Sequence, residues 1–325
     1  MKVIDLINSS KSTAFSFEIL PPLKGNSIQK VYNVIDKLIE FDPKYINITS
    51  HHSEYIYKTL PDGSFQKVNI RKRPGSVAIA SAIQNKYGIT AVPHIICKGF
   101  TKDETEYALI DLNFLGVYDL LLLRGDVKTL EAGQKTDIYH EHATDLQQQV
   151  NDFNKGIAID GSAFEANETP FSYGMACYPE KHEEAPNMES DIFYLKEKVK
   201  NGADYLVTQM FFDNNIYYRF LYKALAKGID VPVTAGIMPV TNAAQVKRTI
   251  SLTGNLVPAK FLSIVDRFGD NPAAMKQAGI AYATEQIIDL IANGVNHIHI
   301  YSMNKPDVAA AIMNNLSQIY VREQA

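Results

Sequence analysis

Only two cysteines occur in 325 residues, Cys97 and Cys177. Both sit in apolar contexts, so they read as buried thiols and not as a disulfide or a metal pair, which fits a reducing cytoplasm. No Cys/His cluster has zinc spacing, and neither a Walker loop nor a G-x-G-x-x-G is present. A nucleotide would have to be held without those devices. No apolar run approaches the length that spans a bilayer, and Met1 to Lys11 lacks the basic and apolar regions of a secretory signal. The formal net charge of −4 leaves no basic surplus, which argues against nucleic acid as a partner. The composition is otherwise that of a globular protein, 46% apolar and 21% charged. The length is great for one compact domain and normal for a barrel with insertions.

Short apolar runs alternate with helical periodicity along the whole chain. Residues 14–20, 45–49, 90–97, 119–123, 172–177, 205–209, 231–237 and 297–301 read as strands. Apolar stripes mark helices between them, such as Ile28, Val31, Ile35 and Leu38, or Ile280, Ala283, Ile287 and Leu290. Gly202, Gly228 and Gly294 fall where three late helices should stop. Eight such units predict an α/β fold, a (β/α)8 TIM barrel forming a single domain over residues 1–325, with a doubly wound sheet as the alternative. Two stretches interrupt the rhythm. Residues 53–73 carry Pro61-Asp62-Gly63 between alternating segments and predict a hairpin, ending in the basic run Arg71-Lys72-Arg73. Residues 154–169 show no periodicity and predict a surface loop.

The chain's central feature is Leu120-Leu121-Leu122-Leu123-Arg124-Gly125-Asp126, a strand buried on both faces that ends in a charge pair around a permissive glycine. In a barrel the C-terminal strand ends carry the chemistry. Reading each end gives Glu18, Thr49, His94, Arg124-Gly125-Asp126, Tyr178 with His182, Gln209 and Tyr301. Glu18 is the sharpest of these. Alternation puts Ser16 and Glu18 on one face of their strand and Phe15, Phe17 and Ile19 on the other. A carboxyl aimed into a barrel is desolvated, its pKa rises, and it suits a general acid; the plain alternative is a Glu paired with a barrel Arg or Lys. His94 is open to a core role, Gln209 can only orient a ligand, and Phe211 and Phe212 serve either as a ring-binding surface or as ordinary packing.

Taken in order, these residues resemble the catalytic domain of the methylenetetrahydrofolate reductase family. The match is carried by Ser16-Phe17-Glu18 with Pro21-Pro22, Ala91-Val92-Pro93-His94, Leu123-Arg124-Gly125-Asp126, Tyr178-Pro179-Glu180 with His182, Thr208-Gln209 with Phe211-Phe212-Asp213, and Gly236-Ile237-Met238-Pro239-Val240. The resemblance implies a barrel with FAD at its mouth and NADH or NADPH as reductant. Hydride would pass through flavin N5 to 5,10-methylenetetrahydrofolate, giving 5-methyltetrahydrofolate for methionine synthesis. It implies Glu18 as the general acid and Asp126 as the second catalytic residue, near both flavin and pterin. Cofactor contacts fall on Thr49, His94, Arg124, Gly125, Asp126, Ala143, Tyr178, His182, Ala185, Asp191 and Lys198. Substrate contacts fall on Asp126, Gln209, Gln245 and Lys305. A homo-oligomer without a metal, in the cytoplasm, is the implied form.

Some positions depart from the family pattern. Tyr194 and Glu197 stand where some relatives contact FAD with other residue types. Thr249 replaces an aromatic, and Lys305 replaces an Arg, keeping charge but not the bidentate fork. The chain ends just after its final helix, so a following regulatory domain is not expected. A competing reading is a folate-binding flavoprotein subunit reduced by a separate electron-transfer partner.

Overall fold

The computed structural model describes residues 1–51, 54–125, 138–246, 249, 254 and 256–319. Its strands, in chain order, are β1 (Ala14–Ile19), β2 (Tyr45–Ile48), β3 (Glu54–Thr59), β4 (Phe65–Ile70), β5 (Thr90–Ile96), β6 (Asp119–Leu123), β7 (Ser172–Cys177), β8 (Tyr205–Thr208), β9 (Val233–Ile237) and β10 (His297–Tyr301). Eight of them close into a parallel barrel in the order β1-β10-β9-β8-β7-β6-β5-β2, with helices alternating along the chain, α2 (Gln29–Leu38) falling between β1 and β2 in sequence. This is the (β/α)8 fold, and each of the eight runs expected to be barrel strands is one. The doubly wound sheet is excluded by closure.

The described chain forms two compact units interleaved in sequence. The first holds Met1–Ile19, Val34–Ile46 and Ser172–Ala325. In it β1 pairs with β10, β10 with β9, β9 with β8, and β8 with β7. Its helices include α1 (Val3–Ser9), α6 (Met188–Lys200), α7 (Asn214–Ala226), α8 (Ala259–Phe268), α9 (Pro272–Ala292) and α10 (Pro306–Asn315). Gly202, Gly228 and Gly294 follow α6, α7 and α9 at φ of +108°, +78° and +82°, the left-handed conformation that ends a helix. Asn271 caps α9 through Ala273 and Ala274, with Pro272 in the first helical position.

The second unit holds Leu20–Asn33 and Asn47–Phe171. Here β5 pairs with β6, and α3 (Ser76–Tyr87), α4 (Lys102–Phe114) and α5 (Ala143–Asn154) are the helices that follow β4, β5 and β6. A capping box of Thr101 and Glu104 starts α4. The expected hairpin is present: β3 and β4 pair antiparallel from Glu54–Ile70 to Thr59–Phe65. The turn closes through Gly63 N to Leu60 O at 2.9 Å, with Gly63 at φ +81° and Asp62 accepting from Ser64. Residues 154–169 are a loop, as expected, but one with internal structure. Ile157 bridges Ala163, Phe164 packs on Phe153 at 5.0 Å, and the Asn154 amide exchanges hydrogen bonds with Phe171.

Candidate active site

The acid sits in the first unit. All six residues of β1 are buried, so burial alone does not separate its faces. Pairing does. Ser16 lies opposite His299, Glu18 lies opposite Tyr301, and Ser16 Oγ meets His299 Nδ1 at 2.8 Å. Parallel neighbours in register share a face. Phe15, Phe17, Ile19, Ile298 and Ile300 make a wholly apolar buried face, the kind that the outer helix ring of such a barrel packs on, which leaves Ser16, Glu18, His299 and Tyr301 facing inward. Glu18 therefore points where alternation predicts.

Burial raises the Glu18 carboxyl from the ordinary 4.5 to about 8. Burial also lowers the His299 imidazole to about 3, so it is neutral at pH 7 and offers no cation that would hold Glu18 ionised. The Tyr301 phenol is pushed well above its ordinary value, by burial first and then by Glu18. Tyr301 donates to Thr208 O at 2.7 Å, reaching from β10 across β9 to β8. Gly236 makes that reach possible: a Cβ there would lie 2.5 Å from Thr208 O and 2.8 Å from both Cε2 and the hydroxyl oxygen of Tyr301. The motif glycine is thus a packing requirement of the inner face.

The substrate residues expected from the sequence also fall in this unit. Gln209 follows β8, its side chain folded back to accept from Met210 N at 2.9 Å. Gln245 Oε1 accepts from Thr241 N, Thr241 Oγ1 and Asn242 Nδ2 at 2.9, 3.2 and 3.0 Å. Lys305 Nζ donates to the same Thr241 Oγ1 at 3.0 Å. Thr241, which the sequence reading passed over, thereby joins Gln245 to Lys305. Phe211 and Phe212 are packing residues: Phe211 stacks on Tyr217 at 5.0 Å and Phe212 on Phe261 at 5.5 Å.

Five residues expected at the cofactor gather after β7. Tyr178 and His182 meet edge to face at 4.7 Å. Asp191 accepts from His182 N at 3.0 Å, and Ala185 N donates to His182 O at 3.0 Å. Lys198 Nζ donates to Ala176 O at 3.0 Å and stands 5.9 Å from the Tyr178 ring. Burial raises the Asp191 carboxyl, with Lys198 among the groups opposing that rise. Lys181, also passed over in sequence, shapes the turn: it is left-handed at φ +81° and donates to the carbonyls of His182, Glu183 and Ala185.

The second unit holds the others. Thr49 Oγ1 meets His51 Nε2 at 3.1 Å. His94 is buried in β5, and its carbonyl accepts from Ser76 Oγ at 3.1 Å. Arg124 O accepts from Lys98 N at 3.0 Å, and Gly125 follows at φ +82° with Ile96 beside it. Cys97 Sγ donates to Leu123 O and His142 O, both at 3.4 Å, and burial pushes this thiol up to about 12. The buried thiol thus ties the end of β6 to the start of α5, where Ala143 is the first helical residue. Cys177 is likewise a buried free thiol. Asp126 and residues 52–53 of the hairpin segment lie outside the described residues, and no group of metal-binding side chains occurs among those that are described. Nor is any described helix long and apolar enough to cross a membrane.

Fold and site together define a (β/α)8 barrel with a desolvated acid on its inner face. The family model described as methylenetetrahydrofolate reductase matches residues 2–317, and the chain belongs to that family. It is 29% identical over 301 residues to the 5,10-methylenetetrahydrofolate reductase of Escherichia coli (strain K12), covering 93% of this chain and 90% of that one. It is 28% identical over 332 residues to methylenetetrahydrofolate reductase (NADH) 1 of Arabidopsis thaliana, covering 98% of this chain and 51% of that one. Among solved structures, a Clostridium thermocellum protein that binds two copies of 5-methyl-5,6,7,8-tetrahydrofolic acid superposes with a TM-score of 0.52 at 15% identity, covering 97% and 98% of the two chains. That likeness is one of fold.

Proposed function

We propose that this chain reduces 5,10-methylenetetrahydrofolate to 5-methyltetrahydrofolate, using bound FAD and NADH or NADPH in two successive half-reactions. The observation that carries the reading is Glu18, an inward-facing carboxyl that burial keeps protonated near neutrality, in a chain of the reductase family. The names of the relatives supply the substrate class, and the Arabidopsis relative's name makes NADH the donor to try first. In this reading residues 1–325 are one catalytic domain acting in the cytoplasm as a homo-oligomer, and the product provides methyl groups for methionine synthesis.

Each unit, taken by itself, holds residues whose chemistry suits a flavin dinucleotide. The first unit offers the Lys198 cation beside the Tyr178–His182 ring pair. The second offers the Arg124 cation, a left-handed Gly125 at which a ligand can approach the backbone, and the N-terminus of α5 at Ala143. The chemistry that FAD supplies when bound is carriage of two electrons, as hydride, from the nicotinamide to the folate carbon.

Glu18 does the proton work. The five-membered ring of the folate must open to an iminium before its methylene carbon accepts hydride, and the departing nitrogen takes up the Glu18 proton. Glu18 is left as a carboxylate and is reprotonated before the next turnover. Such an acid contributes a factor of about 10² to 10⁴. Gln209 and Gln245 orient the pterin, Lys305 meets a substrate carboxylate, and Asp126 is the second catalytic residue.

Anaerobic stopped-flow absorbance tests the proposal. The wild type should be yellow, bleach with NADH or NADPH, and regain colour with methylenetetrahydrofolate. Glu18→Gln should bleach within about tenfold of the wild-type rate and lose reoxidation by the acid factor of about 10² to 10⁴. Equal losses in both half-reactions would refute the acid role. Reoxidation by folate after chemical reduction with dithionite, without bleaching by either nicotinamide, would instead indicate a separate electron donor.

A further inference from the structure

Glu18 and Lys305, the latter expected to contact the substrate, are joined by a short hydrogen-bonded path. Ser302 Oγ donates to the backbone carbonyl of Glu18 at 2.6 Å, just where the β1–β10 pairing runs out. Ser302 O accepts from Lys305 N at 2.8 Å. Lys305 Nζ then donates to Thr241 Oγ1 at 3.0 Å, and Thr241 leads to Gln245. Ser302 is itself buried.

The turn between Ser302 and Lys305 is strained. Met303 and Asn304 are both left-handed, at φ +48° and +54°. Asn tolerates that region, whereas Met has no side-chain hydrogen bond to offset it. Pro306 follows at once and bars Lys305 from helical geometry, so Lys305 sits at φ −111° and ψ 72°. Non-glycine residues persist in such conformations only where the surroundings over-determine them.

We propose that Ser302 is a positioning residue that couples recognition of the folate's glutamate carboxylate at Lys305 to the alignment of Glu18. A carboxylate draws Lys305 away from Thr241, the rigid turn carries that shift through the Lys305 amide to Ser302, and Ser302 sets the backbone from which Glu18 projects. Binding energy from a remote part of the substrate is thereby used at the reacting centre. The inference rests on the functional reading above.

The test is a double-mutant cycle of Ser302→Ala and Lys305→Met, read as the limiting rate of flavin reoxidation. It uses methylenetetrahydrofolate and its analogue lacking the glutamate, methylenetetrahydropteroate. In the wild type, loss of the glutamate should lower the limiting rate about tenfold as well as weaken binding, a coupling of ordinary size. Ser302→Ala should lose about the same tenfold with the full substrate, after which removing the glutamate should affect binding only. The double variant should be no slower than either single one, Ser302→Thr should restore the rate, and bleaching by the nicotinamide should stay unchanged in the Ser302 single variants. A double variant slowed by about a hundredfold, the product of independent effects, would overturn the coupling. So would an unchanged rate in Ser302→Ala, or a parallel loss of bleaching, which marks a purely structural role. A wild type that bleaches but never reoxidises with the full folate would overturn the functional reading, and the inference with it.

Discussion

Relative to the wild type, Glu18→Gln should gain stability as pH rises through neutrality. Raising a carboxyl from 4.5 to about 8 disfavours its charged form by roughly 5 kcal/mol. The unfolded chain ionises Glu18 near its ordinary value, while the folded chain keeps the proton until about 8. Between those values the folded state binds more protons, so stability falls as pH rises. The contribution is fully present below 4.5 and fully lost above about 8. At pH 7 the ionisable acid costs roughly 3 kcal/mol, and at pH 5 under about 1 kcal/mol. For a chain of 325 residues the pH 7 figure corresponds to about 4 °C in Tm. A buried amide has its own cost of about 1–3 kcal/mol, but that cost does not vary with pH. The decisive quantity is therefore the change in the stability difference between pH 5 and pH 8, measured by urea or thermal unfolding of both proteins. A difference that stays flat across that range, or that moves against the variant as pH rises, would refute the desolvated-acid account. The same titration should appear in kinetics: folate-dependent reoxidation should decline above about pH 8 while bleaching does not.

Gly236→Ala should destabilise by about 1–3 kcal/mol, since its Cβ would meet Thr208 O and the Tyr301 ring at 2.5 and 2.8 Å; an unchanged urea midpoint would show that Tyr301 can yield. Lys198→Met should weaken FAD binding about ten- to a hundredfold, the worth of one charge-assisted contact, as read by fluorescence titration of the apoprotein; equal affinity would remove Lys198 from the cofactor site. Replacing the β3–β4 hairpin with a short loop should raise KM for the folate or the nicotinamide while FAD stays bound, because the hairpin follows a barrel strand; unchanged KM for both would assign it another role, such as a subunit contact.

Much of the architecture is local information, and local information is legible in a chain. The Leu120–Leu123 run is a strand because it is apolar throughout, and Gly202, Gly228 and Gly294 end helices because they adopt φ values that other residues avoid. The period of two that puts Ser16 and Glu18 on one face needs no tertiary knowledge, and the pairing with β10 adds His299 and Tyr301 to that face. What a side chain touches is another matter. Phe211 and Phe212 allow two readings in sequence, and only packing against Tyr217 and Phe261 decides between them. His299 is an ordinary histidine on paper, and burial beside Ser16 makes it a neutral one. Lys181, Thr241 and Ser302 carry no motif at all. Ser302 meets Glu18 across 284 positions of chain, a separation at which no spacing rule operates. Periodicity and turn chemistry determine which elements form and which way they face, because both depend on neighbours along the chain. The acid's environment is set by residues that only closure of the barrel brings beside it.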